Sequence, residues 1–128
     1  MKTDAVYHVF YDDTLGAVVM DWDGYATSEQ FRKGTELMLE TLIQNKTGKV
    51  LADIKDMILI GQEDQQWLEI YFLPQAIDAG LSAVAMIRPD SYFNNVAIET
   101  ISGKIDKAKL ALRFFGNKAE AVNWLKTI

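Results

Sequence analysis

Apolar residues along this chain fall into two kinds of block. Short blocks rich in Val, Ile, Ala and aromatics alternate with longer ones in which apolar side chains recur every three or four positions. Tyr7 to Tyr11 and Gly16 to Trp22 are of the first kind, and the turn-forming Asp12-Asp13-Thr14-Leu15-Gly16 joins them, so the chain is predicted to open with a β-hairpin. Thr27 and Gln30 then stand three apart, the spacing at which a hydroxyl caps the N3 amide and the glutamine reaches back to the cap. A helix to about Lys46 follows, with Phe31, Thr35, Met38, Leu39 and Leu42 on one stripe and Arg32, Lys33, Glu36 and Glu40 off it. Gly48 is expected to close it by taking the left-handed conformation that helix ends favour.

Lys49 to Ile54 is too short and too continuously apolar at Val50-Leu51-Ala52 for a helix, and is predicted to be a buried strand. The next helix begins at Gln62-Glu63-Asp64, where the dipole favours acidic side chains, and runs to Ala79, kinked or divided at Pro74. Ala83 to Ile87 is a second short strand. Asn94 to Lys107 is predicted helical through Ile98, Ile101 and Ile105, with Gly103 weakening its last turn. Leu110 to Phe115 forms the fifth strand, and Asn117 caps a final helix carrying Ala121, Trp124, Leu125 and Ile128 on one face. The order β-β-α-β-α-β-α-β-α implies right-handed crossovers and a largely parallel five-stranded α/β sheet, with the first strand antiparallel and four helices packed on it.

Composition narrows the function more than the fold. At 128 residues the chain can bury a core of its own, and it reads as one domain spanning 1–128. No cysteine is present, which removes thiol nucleophiles, disulfides and thiolate metal cages. A formal charge of -5 opposes binding to nucleic acid or an anionic membrane. No apolar run has the length of a membrane span or a signal-peptide core, so a cytoplasmic location is expected. A Gly-rich phosphate loop and a Gly-x-Ser-x-Gly elbow are both missing.

Several segments resemble the SpoIIAA-like superfamily, which includes STAS domains and their STAS/SEC14-type relatives. They are Ala52-Asp53-Ile54-Lys55-Asp56, Glu63-Asp64-Gln65-Gln66-Trp67, Ala79-Gly80-Leu81 before Ala83-Val84-Ala85-Met86-Ile87, and Phe114-Phe115 followed by Ala121-Val122-Asn123-Trp124-Leu125. The resemblance covers nearly the whole chain and implies a scaffold rather than a catalytic site. In phosphoswitch STAS proteins a serine between the third strand and second helix governs binding of a kinase or anti-sigma partner. The corresponding Asp56-Met57-Ile58-Leu59-Ile60-Gly61 has no Ser or Thr, so the resemblance here implies partner binding without that switch. The STAS/SEC14-type relatives imply instead an apolar, lipid-like ligand.

Candidate chemistry is sparse. His8 is the only histidine, which excludes two-histidine metal sites and leaves no metal or organic cofactor expected. Asp21, Asp23, Asp53, Asp56 and Asp90 stand near strand ends, where two could converge as an acid/base pair or simply serve turns and caps. No catalytic residue is assigned, and an enzyme built on converging carboxylates ranks behind a non-catalytic module.

Apolar excess is the feature that a solvated surface does not explain. Met57, Ile58, Leu59 and Ile60 are consecutive where a loop is expected, and the helix beyond them carries Trp67, Leu68, Ile70, Tyr71, Phe72, Leu73, Ala76 and Ile77, more than one stripe needs. Either the kink at Pro74 and the loop fold back on their own core, or the four residues simply extend the strand, or Met57, Ile58, Leu59, Ile60, Trp67 and Tyr71 form a contact surface for a partner protein or a second copy in a homodimer. An alternative from another class is a pocket for a small apolar or lipid-like ligand lined by Trp67, Tyr71, Tyr92 and Phe93. Polar anchors for a ligand would come from Asp53, Lys55, Asp56 and Arg88 at the carboxyl ends of the strands. Arg88 has a planar fork suited to an anion, and its plainer role is a salt bridge to Asp90 or Asp56.

Overall fold

The computed structural model describes residues 6–58, 61–88 and 92–128, with the backbone alone at 92–94 and 97. Strands β1 (Tyr7–Asp12) and β2 (Ala17–Gly24) pair antiparallel. Their turn is held by Asp12, whose Oδ1 accepts from the Thr14 hydroxyl at 2.6 Å and from the amides of Thr14 and Leu15 at 3.0 and 3.2 Å. Those bonds, the Thr14 hydroxyl first, hold the Asp12 carboxyl below its ordinary range. Strands β3 (Lys49–Met57), β4 (Ala83–Ile87) and β5 (Ala111–Phe115) follow in parallel, giving one five-stranded sheet in the order β1-β2-β3-β4-β5.

Helix α1 (Ser28–Gln44) begins at the expected capping box, with Gln30 N–H donating to Thr27 Oγ1 at 3.1 Å and Thr27 N–H to Gln30 Oε1 at 2.9 Å. Its end differs from the expectation. The left-handed residue is Lys46, at φ 52°, and Gly48 is glycine for another reason: a Cβ there would sit 2.4 Å from Ser82 Oγ and 2.6 Å from the Gly80 carbonyl. Gly34, inside α1, likewise lets the helix approach Trp22, whose ring would lie 2.6 Å from a Cβ.

Helix α2 runs from Gln62–Trp67 through a π-helical turn, Leu68–Phe72, into Leu73–Asp78. The Leu73 N–H donates to the Leu68 carbonyl five residues back. The irregularity expected at Pro74 therefore appears as a widened turn just before it, which moves aside the carbonyl a proline ring would strike. Five-residue neighbours meet in such a turn, and Trp67 stacks on Phe72 with centroids 5.3 Å apart. This change of period explains why the apolar stripe of α2 is wide. Helix α3 (Tyr92–Ser102) is shorter than expected: Gly103 ends it, and Ile105 lies beyond. Helix α4 (Lys118–Thr127) is capped by Asn117, whose Oδ1 accepts from Glu120 N–H at 2.9 Å.

Strands that enter the sheet in sequence order, each through a right-handed crossover, carry every crossover helix on one face. So α1, α2 and α3 cover one side, where Val18, Met20, Trp22, Phe31, Leu42, Val50, Phe72 and Leu110 form the larger core. Only α4, which crosses nothing, reaches the other side. There Ala17, Val19, Leu51, Ala85 and Ile87 pack against Ala121 and Leu125. Lys49 fixes that helix by donating to the carbonyls of Leu125, at 3.0 Å, and Ile128.

Candidate functional site

The carboxyl end of the parallel strands is where β2 and β3 run out and α1 and α2 begin. β3 extends to Met57, three residues past the expected end at Ile54, and Ile58 N–H still bonds the Gly24 carbonyl at 2.9 Å. The apolar run is thus partly strand. Met57 is a core residue, 3% exposed, and not part of a contact surface. Ile58 and Tyr25, each just past the end of paired strands, are both exposed, and Leu59 and Ile60 lie outside the described residues.

The start of α2 is clamped onto α1 by a buried carboxylate. Asp64, 5% exposed, accepts from Ser28 Oγ at 2.9 Å and pairs with Arg32 Nε at 3.3 Å. Arg32 also lies over the Trp67 ring, 5.3 Å from its centroid, and Phe31 meets Trp67 edge-on at 6.1 Å. Trp67 therefore joins the two helices and stays half-buried. Farther along α2, Leu68, Phe72, Leu73, Ala76 and Ile77 turn to the core, while Ile70 and Tyr71 point outward. At this end of the sheet and on α2 the exposed apolar side chains are Tyr25 (61%), Ile58 (53%), Ile70 (57%) and Tyr71 (69%), while Phe10, Leu37, Ile43, Val96 and Ile128 are exposed elsewhere. Tyr92 and Phe93 fall in the first turn of α3, and their side chains lie outside the described residues.

The proposed polar anchors do not converge. Asp53 sits on the α4 side of the sheet, two residues on from Leu51, and its Oδ1 accepts from Lys55 N–H at 3.1 Å. Arg88 lies on the other side, over the Phe114 ring at 4.6 Å, and bonds Glu99 at 3.1 Å and Asn95 at 3.3 Å. Its ion pair is to α3, not to Asp56, and Asp90 lies outside the described residues. Lys55 and Asp56 are exposed at the end of β3.

Four of the five candidate aspartates stand in two pairs on adjacent strands. Asp21 is the register partner of Asp53, and Asp23 that of Asp56, because β3 carries one extra residue between the two pairs. His8 lies opposite Asp21 on β1. Burial, and then the Asp53 charge, hold the Asp21 carboxyl above its ordinary range, against a pull from Lys118. Among the described residues no group of three His, Asp or Glu side chains is placed to hold a metal ion, and no helix is long and apolar enough to cross a membrane.

A comparison with solved structures bears on this arrangement. The chain matches the anti-sigma factor antagonist SpoIIAA in its unphosphorylated form with a TM-score of 0.62, over 95% of this chain and 99% of that one, at 11% identity. The chain has the SpoIIAA-like fold. At that identity the likeness is one of architecture: the mixed sheet and its helices superpose, and site residues do not transfer. No family model and no curated protein matches the sequence.

Sequence reasoning missed the Asp64 clasp, since a first-turn acid is ordinarily explained by the helix dipole alone. It also missed Tyr25 as the exposed neighbour of Ile58. The only signal for that pair is their position at the ends of what prove to be adjacent strands.

Proposed function

We propose that this protein is a non-catalytic binding module that meets another protein through the carboxyl end of its sheet and the outer face of α2. The carrying observation is that Tyr25, Ile58, Ile70 and Tyr71 stay exposed while every neighbouring element is anchored from beneath by the core and by Asp64. An apolar side chain left in water on a rigid support gains free energy only when a partner covers it. Asp23 and Asp56 are register partners two residues before Tyr25 and Ile58 in the chain, and the chain carries a charge of -5, so the fitting partner presents apolar side chains rimmed by Lys and Arg. SpoIIAA, an anti-sigma factor antagonist, acts on a protein as well. A partner-binding role is consistent with that architecture.

The test is quantitative cross-linked capture from the native cell extract with wild type, Ile58→Asp, Tyr71→Asp and a remote control, Phe10→Ser. A protein recovered by wild type and control, and reduced at least tenfold in both site variants, with recovery falling as salt rises, supports the proposal. Equal recovery by all four proteins overturns it. Light scattering covers the homodimer: a dimer dispersed by Tyr71→Asp would make the occupant a second copy and overturn the basic-partner assignment.

A further inference from the structure

Two voids adjoin in this molecule and share part of their walls. An apolar cavity of about 90 Å³ lies between the sheet and its crossover helices, bordered by Met20, Met38, Met57 and Met86 and by Leu68 and Phe72 of the π-helical turn. Native cores are packed with few spaces larger than a water molecule, and a space walled by carbon stays dry. The Thr35 hydroxyl on its border is already committed to the Phe31 carbonyl at 2.7 Å. Methionines from four different elements make this wall adaptable, because an unbranched thioether changes rotamer at little cost. A π-helical turn is itself a feature found often at functional sites.

The second void is a groove of about 360 Å³ between α2 and the segment following α3, bordered by Glu69, Asp78, Lys104, Asp106 and Lys109. Leu73 and Ile105 border both voids, and both are only half-buried. Leu73 and Ile105 therefore stand between the groove and the cavity. Across it Lys104 Nζ meets Glu69 Oε1 at 3.3 Å, an exposed pair that parts readily.

We propose that the two voids form one site for a small neutral amphiphile. Its hydrocarbon end passes between Leu73 and Ile105 into the methionine-lined cavity, and its hydroxyl end stays in the groove. The cavity volume equals about three water molecules of liquid, enough for a chain of a few carbons once the methionines shift. The groove mixes carboxylates (Glu69, Asp78, Asp106) with ammonium groups (Lys104, Lys109), so it presents no single sign of charge to select an ion, and a neutral hydroxyl end can hydrogen-bond to either kind. This site is separate from the contact surface proposed above, and neither depends on the other.

The test is a titration of protein labelled with ¹³C at its methionine methyl groups, using pentan-1-ol as probe. Saturable millimolar shifts are expected at Met20, Met38, Met57 and Met86. Ala52→Val, which builds carbon into the cavity, should weaken that binding at least tenfold. If it does not fold, Val84→Ile, adding one carbon to the same wall, should weaken it several-fold. Pentanoate should bind at least tenfold more weakly than pentan-1-ol. Shifts that never saturate, or binding unchanged in the filled variants, would overturn the site; equal binding of pentanoate would overturn its neutral character.

Discussion

The two faces of the sheet are built to different standards. Under α4 the small residues Ala17, Ala85 and Ala121 are packed among Leu15, Val19, Leu51, Ile87 and Leu125. Under α1, α2 and α3 the same strands present Met20, Met86 and Val84, and a cavity remains. One helix lying along a sheet can settle until its side chains interlock. Three helices tied to successive strands cannot each reach their best position, and one of them contains a widened turn. The difference shows how topology, through the handedness of the crossovers, decides where a core is tight and where it can yield.

The comparison predicts unequal costs for removing side chains. Leu125→Ala on α4 should cost about 4 kcal/mol, since the side chain is fully buried. Met86→Ala, half-buried and already beside free volume, should cost about 2 kcal/mol or less. Urea denaturation of both variants measures this directly. Equal losses would show that the two faces are packed alike.

Asp64→Ala probes the clasp that sets α2 against α1. Ser28 and Arg32 lose their acceptor, but the Arg32 side chain is 40% exposed and can turn to water, so the expected loss is about 1 to 2 kcal/mol by the same assay. A loss below about 0.5 kcal/mol would mean that the aromatic contacts of Trp67 hold the helices without it.

The smallest effect belongs to the acidic row on the face that α4 serves. A carboxyl whose folded pKa is raised destabilises the fold above that pKa, and the penalty disappears as pH falls below the unfolded value of 3.8. Asp21→Asn should therefore stabilise the protein at pH 7 by roughly 0.3 kcal/mol, a small figure because solvent screens the site. The gain should vanish near pH 3.5, as followed by thermal melting across pH. A gain independent of pH would trace the effect to something other than charge.

Much of this architecture is legible in the residues themselves. The Thr27 and Gln30 box, the Asn117 cap, the hairpin turn and the SpoIIAA-like order all rest on local patterns that tertiary packing had no cause to override. What escaped was set by contacts between distant segments. Gly48 is small because of Ser82, β3 lengthens because Gly24 offers a carbonyl to Ile58, and Arg88 is held by Glu99 on a helix expected to start two residues later. The apolar excess of α2 was visible as a count. Its division between Phe72, which is buried, and Tyr71, which is not, required the five-residue period that only the π-helical turn reveals.

If folding does not use Ile58 and Tyr71, both remain available for contact. Chemical denaturation of the Ile58→Asp, Tyr71→Asp double variant tests it most directly. Solvent already surrounds both side chains, so the stability should stay within about 0.5 kcal/mol of wild type. A loss of about 2 kcal/mol or more would place them in the core and contradict the account.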